Sequence, residues 1–317
     1  MKNSNFSRFF RETRFVIATS CFVMAFATIQ SMNAQTTYTA IAGSTFSPKV
    51  DVNLLDAAAW PAGTTLPLAG DANIWSTGKY RLQISTTPFT FNGGTLDIAN
   101  GGVLIIAQAN PSLSLNNVTL NGGIIQIQTG KSAIVDLQNK TFTLNKGSLK
   151  TLSVGTVSRN LAFQNASLAG NGTITIAQIQ TGAIENFVEL KSTVNTVGFR
   201  GKFVVAPGLS GTAAGGMLKI NAIAPANASF GVDVPAASGE IVSNGIPYKS
   251  SKNGKLYFSA VAPATVALTS LNLGGTDLAP ATYGLIVGKG ITVFTADQQV
   301  YIDSRSTGTI TVVGTKK

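Results

Sequence analysis

The chain has 317 residues, 33 of them glycine, with 23 Lys/Arg against 13 Asp/Glu, one cysteine and no histidine. Without histidine no Ser-His-Asp or Cys-His nucleophile can be assembled, and a His/Cys zinc site is excluded. Only 11% of the residues are charged while 44% are hydrophobic, so the chain is not compositionally disordered. Its wealth of Thr, Val, Ile, Asn and Gly suits strands and turns better than helices.

Residues 1–34 read as a secretory signal peptide. Lys2, Arg8, Arg11 and Arg14 precede the apolar run Phe15 to Ile29, and the small residue Ala34 stands just before Gln35. The run is short for a membrane span and is broken by Thr and Ser; an uncleaved N-terminal anchor is the alternative. Cys21 lies inside this segment and leaves with it, so no disulfide is expected despite an oxidising destination. The expected location is extracellular or at the cell surface, with no integral membrane segment after cleavage. With four Lys/Arg and Glu12 removed, 19 basic and 12 acidic residues remain, a net charge of +7. The bases are scattered and interleave with no aromatic run, which speaks against nucleic acid. Attraction to acidic polysaccharide is what such a charge supports.

Residues 35–80 carry WPAGTTLPLAGDANIW, with Trp60, Pro61, Pro67 and Trp75, and read as the N-terminal cap of a repeat structure. Trp60, Trp75 and Tyr80 are either a sugar-stacking platform or core that closes an apolar end. Residues 81–235 hold the repeat itself: FNGGTL from Phe91, LNNVTL from Leu115, LQNKTF from Leu137 and FQNASL from Phe163, with starts 24, 22 and 26 residues apart. The first and last positions are large and apolar, and the second is always a side-chain amide. The third is Gly93, Asn117, Asn139 or Asn165, the residue types that tolerate a left-handed corner. Amides at equal heights on stacked turns can hydrogen-bond from copy to copy. A glycine-bearing link and a second strand follow each time: NGGVLII, NGGIIQI, NKGSLKTL and GNGTITI.

A period in the low twenties with short strands and Gly/Asn corners predicts an all-β fold, a right-handed parallel β-helix (solenoid). An antiparallel β-sandwich also uses short strands at regular intervals. The stretch 235–255, PAASGEIVSNGIPYKSSKNGK, is the expected boundary. Beyond it LYFSAV, TVALTSLNL, TYGLIVG, ITVFTA, QVYID and TGTITVV predict six short strands. Residues 236–317 thus form a β-rich C-terminal unit, a cap or a small sandwich.

The order of these segments, from FNGGTLDIANGGVLII through ASLAGNGTITI and NTVGFRGKFVVAPG to TYGLIV and GTITVV, resembles the autotransporter-like, passenger-type β-helix proteins secreted by bacteria. The resemblance covers roughly residues 55–235, and Gly-rich β repeats of this kind recur widely. It implies a right-handed β-helix, export, and a role in adhesion, surface coating or polysaccharide association, with no catalytic set to carry over. The chain departs from a full autotransporter in that the residues after Leu256 are too few for an outer-membrane barrel.

Three functions are therefore weighed: a non-enzymatic surface or matrix protein, a polysaccharide lyase or hydrolase on the same scaffold, and a carbohydrate-binding module. No adjacent pair of carboxylates offers itself to a hydrolase, although stacking could bring Asp97 near Asp136. The ligand-contact candidates are Arg200 and Lys202 in FRGKF, which alternation places on one strand face opposite Phe199, Gly201 and Phe203. Glu189 and Lys191 in VELKS, about one turn of the repeat earlier, are expected beside them. The competing reading is a solvated face with cross-strand ion pairs. No catalytic residue, metal ligand or cofactor is assigned. Asp71 and Asp277 read as turn residues rather than calcium ligands, there being no G-G-x-G-x-D array or EF-hand loop.

Overall fold

The computed structural model describes residues 35–41, 52–67, 71–85, 88–107, 112–128, 132–152, 159–179, 186–208, 214–237, 241–243, 246–248, 252–260 and 264–314. Residues 37–317 form one compact unit; the expected signal peptide lies outside the described residues.

The alternation of apolar and polar side chains along the repeat is resolved into three long parallel ladders. The first runs through Phe89–Thr90, Ser112–Ser114, residues 133–136, residues 161–164, Val188–Leu190, Met217–Asn221 and Lys255–Ser259. The second runs through Thr37–Thr39, Ile74–Ser76, Thr95–Ala99, residues 117–122, residues 140–144, residues 166–170 and Val194–Phe199. The third runs through Val52–Asn53, Arg81–Ile84, Val103–Ile106, residues 124–127, residues 146–152, Thr173–Ile179, Lys202–Val205, Gly231–Val234 and Ser270–Leu273. The chain visits the first, second and third ladders in turn, then begins the next rung. An antiparallel sandwich is not formed by the repeat.

Strand alternation sends every second side chain inward, and the register lines these up in columns. In the first ladder Phe89, Leu113, Val135, Phe163, Leu190, Ile220 and Phe258 stack in register, none more than 2% exposed. The corresponding column of the third ladder is Leu82, Leu104, Ile125, Leu149, Ile176 and Val205. That of the second is Trp75, Leu96, Val118, Phe142 and Leu168. One rung could not bury these side chains alone; stacking at about 4.8 Å does.

The hexapeptides sit where the first ladder hands over to the second. Their third residue takes the left-handed conformation at Asn139 (φ 62°) and Asn165 (φ 49°) but not at Gly93 or Asn117, against the uniform corner the repeat suggests. At Gly93 the requirement is space: a Cβ there would meet the rings of Phe91 and Trp75. The glycine links sit where the second ladder hands over to the third. A Cβ at Gly172 would run into the carbonyl of Asn145, and one at Gly201 into that of Gly172, so the backbones of successive rungs touch where side chains would stand.

The ladders extend beyond the expected repeat limits of 81 and 235. Strands at 37–39, 52–53 and 74–76 already belong to them, and Lys255–Ser259 and Ser270–Leu273 continue them past the 235–255 stretch. Within that stretch Ile241–Ser243 pairs antiparallel with Ile246–Tyr248. Of the six expected C-terminal strands, LYFSAV and the second half of TVALTSLNL are thus rungs of the main stack. A smaller sheet joins Thr265–Leu268, Thr309–Val312, Ala281–Gly284 and Thr292–Val293. QVYID is not a strand: a short helix, Ala296–Gln299, runs into its first residue, begun by a capping box in which Thr295 and Gln298 satisfy each other's backbone N–H groups. These local bonds outweigh the strand texture. Among the described residues no helix is long and apolar enough to cross a membrane.

Candidate functional site

Outward side chains of the second ladder form rows of small polar groups. Asp97, Thr119 and Thr143 follow one another in register, as do Thr95 and Asn117, and Thr141, Ser167 and Asn195. Asn117 bridges rungs, donating from Nδ2 to Gly94 O (3.2 Å) and accepting from Thr141 N (3.0 Å). Asn116 donates to Gly93 O at 2.9 Å. The expected copy-to-copy bonding of amides is present here, directed to backbone rather than to like amides.

Arg200 and Lys202 are exposed while Phe199 and Phe203 are buried, as alternation requires. Lys202 stands in the third ladder on Thr173, which stands on Lys146. A cleft of about 440 Å³ opens there, lined by Gly122, Asn145, Lys146, Gly147, Ser148, Thr173 and Thr175. Lys202 lies 3.7 Å from Asp233, with side chains 51% and 29% exposed, a pair worth little in water. Further along the same outer face Lys150 is half-buried, and burial pulls its ammonium below the usual lysine range.

Glu189 and Lys191 are not beside Arg200 and Lys202. Glu189 belongs to the first ladder, between Ala162 and Lys219, and its Oε1 is 2.9 Å from Lys219 Nζ. Lys191 is half-buried and donates its backbone N–H to Phe163 O. The sequence separation explains the error: Glu189 and its true neighbour in register, Lys219, are a full rung apart, whereas Arg200 falls within the same rung. Lys219 sits 5.1 Å from the ring centroids of both Phe187 and Tyr257. The Arg305 guanidinium lies 5.4 Å from the Tyr257 ring and is held by Asp303 at 2.7 and 2.9 Å. Burial pushes the Asp303 carboxyl up, but hydrogen bonds from Arg305 and the charges of Arg305 and Lys255 outweigh it and leave it below the usual carboxylate range. The rings are thus occupied by the protein's own cations, and this cluster ties the C-terminal segment to the stack.

Trp60 and Trp75 are each 1% exposed and meet edge to face at 4.8 Å. Their indole N–H groups donate to Leu54 O and to Asp71 Oδ2. They are core, not a sugar platform; Tyr80 is half-buried with Lys79 Nζ 5.9 Å from its ring centre. Asp97 and Asp136 lie on different ladders and do not stack. Asp97 accepts from Ser76 Oγ at 2.7 Å, and burial holds its carboxyl above the ordinary value despite that bond. Asp71 caps the turn to Asn73, and Asp277 accepts from Asn272 in a two-residue hairpin. Among the described residues no three His, Cys, Asp or Glu side chains gather as a metal would need.

Lys146, Thr173, Lys219 and Tyr257 escaped the sequence reading. The signal for Lys146 was there: it precedes Gly147 in NKG just as Arg200 precedes Gly201 in FRGK. Stacking by the glycines alone would set Lys146 on Arg200; the register instead places it, across Thr173, on Lys202. No protein-family model matches the chain, and no curated protein and no solved structure matches it either.

Proposed function

We propose that this protein is an exported, right-handed parallel β-helix that acts without catalysis as a surface or matrix element, adhering to or associating with extracellular polysaccharide. The observation that carries this reading is the second ladder's outer face. Its rows of Thr and Ser side chains repeat at the strand spacing of about 4.8 Å and offer hydroxyl groups to a polymer lying across several rungs. The separation of Asp97 from Asp136 supports it, since hydrolysis of a glycosidic bond asks for two carboxylates at short range. The basic segment, apolar run and Ala34 at the N-terminus support export, and the repeat's likeness to secreted passenger domains agrees with both.

The test is incubation of the purified protein with neutral and acidic polysaccharides. Co-sedimentation and polymer size by chromatography are then followed together. Binding with unchanged polymer length is the expected result. Shortened polymer replaces this reading with a lyase or hydrolase.

A further inference from the structure

We propose that the cleft at the corner between the second and third ladders is a binding site for an extended polyanion of the polyuronate class, running along the stack across Lys146, Thr173 and Lys202. This deepens the proposed function and rests on it. Lys146 and Lys202 are in register with Thr173 between them, so they are two rungs apart, about 10 Å. That distance is comparable to two residues of an extended pyranose chain, which places one cation at every second carboxylate. Hydroxyls of Ser148, Thr173 and Thr175 line the same cleft and suit the sugar hydroxyls between. The floor is bare backbone at Gly122 and Gly147, because the contact between rungs excludes side chains there. A polymer can therefore approach closely.

The charge is arranged accordingly. Among the described residues neither Lys146 nor Lys150 has a carboxylate partner. Lys150 continues the outer row of Lys146 and Ser148 along the strand and is half-buried. Arg200 is exposed beside Lys202. Asp233, the acid paired with Lys202, is held at 3.7 Å by a pair that both partners' exposure makes weak, so it can yield to a ligand.

The experiment measures binding of the full chain to polygalacturonate, to fully methyl-esterified polygalacturonate and to a neutral glucan. Binding to polygalacturonate is expected to exceed that to its ester about tenfold and to fall steeply with added salt. Lys146→Gln/Lys202→Gln is expected to weaken it about fivefold or more, while Lys289→Gln, an exposed lysine between Ala281–Gly284 and Thr292–Val293, leaves the preference for acid over ester unchanged. Equal binding of acid and ester, or full polyuronate affinity in the Lys146/Lys202 variant, overturns the proposal. Binding to neutral glucan alone overturns it and leaves the broader function standing; binding to no polysaccharide overturns both.

Discussion

Thr151 shows how finely polar groups are matched in this interior. Its neighbour in register, Gln178, is fully buried and accepts from Asn186 N at 2.9 Å, and Asn186 in turn accepts from Arg159 N. Among the described residues Thr151 Oγ1, also buried, has no such partner. A buried hydroxyl without a hydrogen bond costs more than the methyl that could replace it. Thr151→Val is therefore expected to stabilise the protein by about 1 kcal/mol, read as a higher denaturant midpoint; a loss of stability would mean that the hydroxyl is satisfied. Asp136 is the opposite case. It accepts from Gln138 N, Gln164 Nε2 and Asn165 Nδ2, and although burial acts to raise its carboxyl, these three bonds leave it lowered. Asp303 carries a pH consequence. Its folded-state carboxyl is held below the unfolded value of about 3.9, so its contribution to stability is present above that value and is lost as pH falls through the folded one. Asp303→Asn should lose about 1–3 kcal/mol at pH 7, half-exposed Arg305 limiting the loss, and should show a flatter decline of Tm between pH 5 and 2 (about that window).

At the scale of the element, the two kinds of corner obey different physics. The amide corner between the first and second ladders is held by side chains reaching backbone on the neighbouring rung, so it tolerates Gly93 and Asn117 in one conformation and Asn139 and Asn165 in another. The glycine corner is held by contact between backbones and leaves no room for a Cβ at Gly102, Gly123, Gly147, Gly172 or Gly201. Gly172→Ala is accordingly expected to destabilise by about 2–3 kcal/mol, although its φ is unremarkable, because Asn145 cannot retreat without parting two rungs. Chemical denaturation measures this; an alanine accepted without cost would show that the rungs are free to slide apart. Gly63, which has open space around it but a φ of 80°, isolates the cost of left-handed backbone alone, about 1 kcal/mol on replacement by alanine.

For the whole molecule, stability is a sum of rung interfaces, each strand bonded above and below. Protection should therefore rise from the ends inward. Hydrogen exchange is expected to be slowest at Ile125, Leu149 and Ile176, which stand in the middle of the third ladder. It should be fastest at Thr37–Thr39, which among the described residues pairs only with Ile74–Ser76. Uniform protection over all rungs would instead describe one all-or-none unit.

How much of this was legible depended on range. The hexapeptide period and the alternation in FRGKF were written in local order, because strand pleating and corner geometry are properties of a few consecutive residues; whether the tryptophans were core or a sugar platform was not. The limits of the stack were not: strands at 37–39 and 270–273 lack the hexapeptide yet are rungs, since what admits them is an open strand edge and not their own pattern. The helix after Thr295 turned on two side-chain bonds that strand texture conceals. Which charges meet was decided by register alone. Glu189 faces Lys219 and not Lys202, and Lys146 joins Lys202 across Thr173, because rungs of unequal length shift every pairing that follows. The sequence by itself determined that the chain would stack; the tertiary structure decided what stands on what.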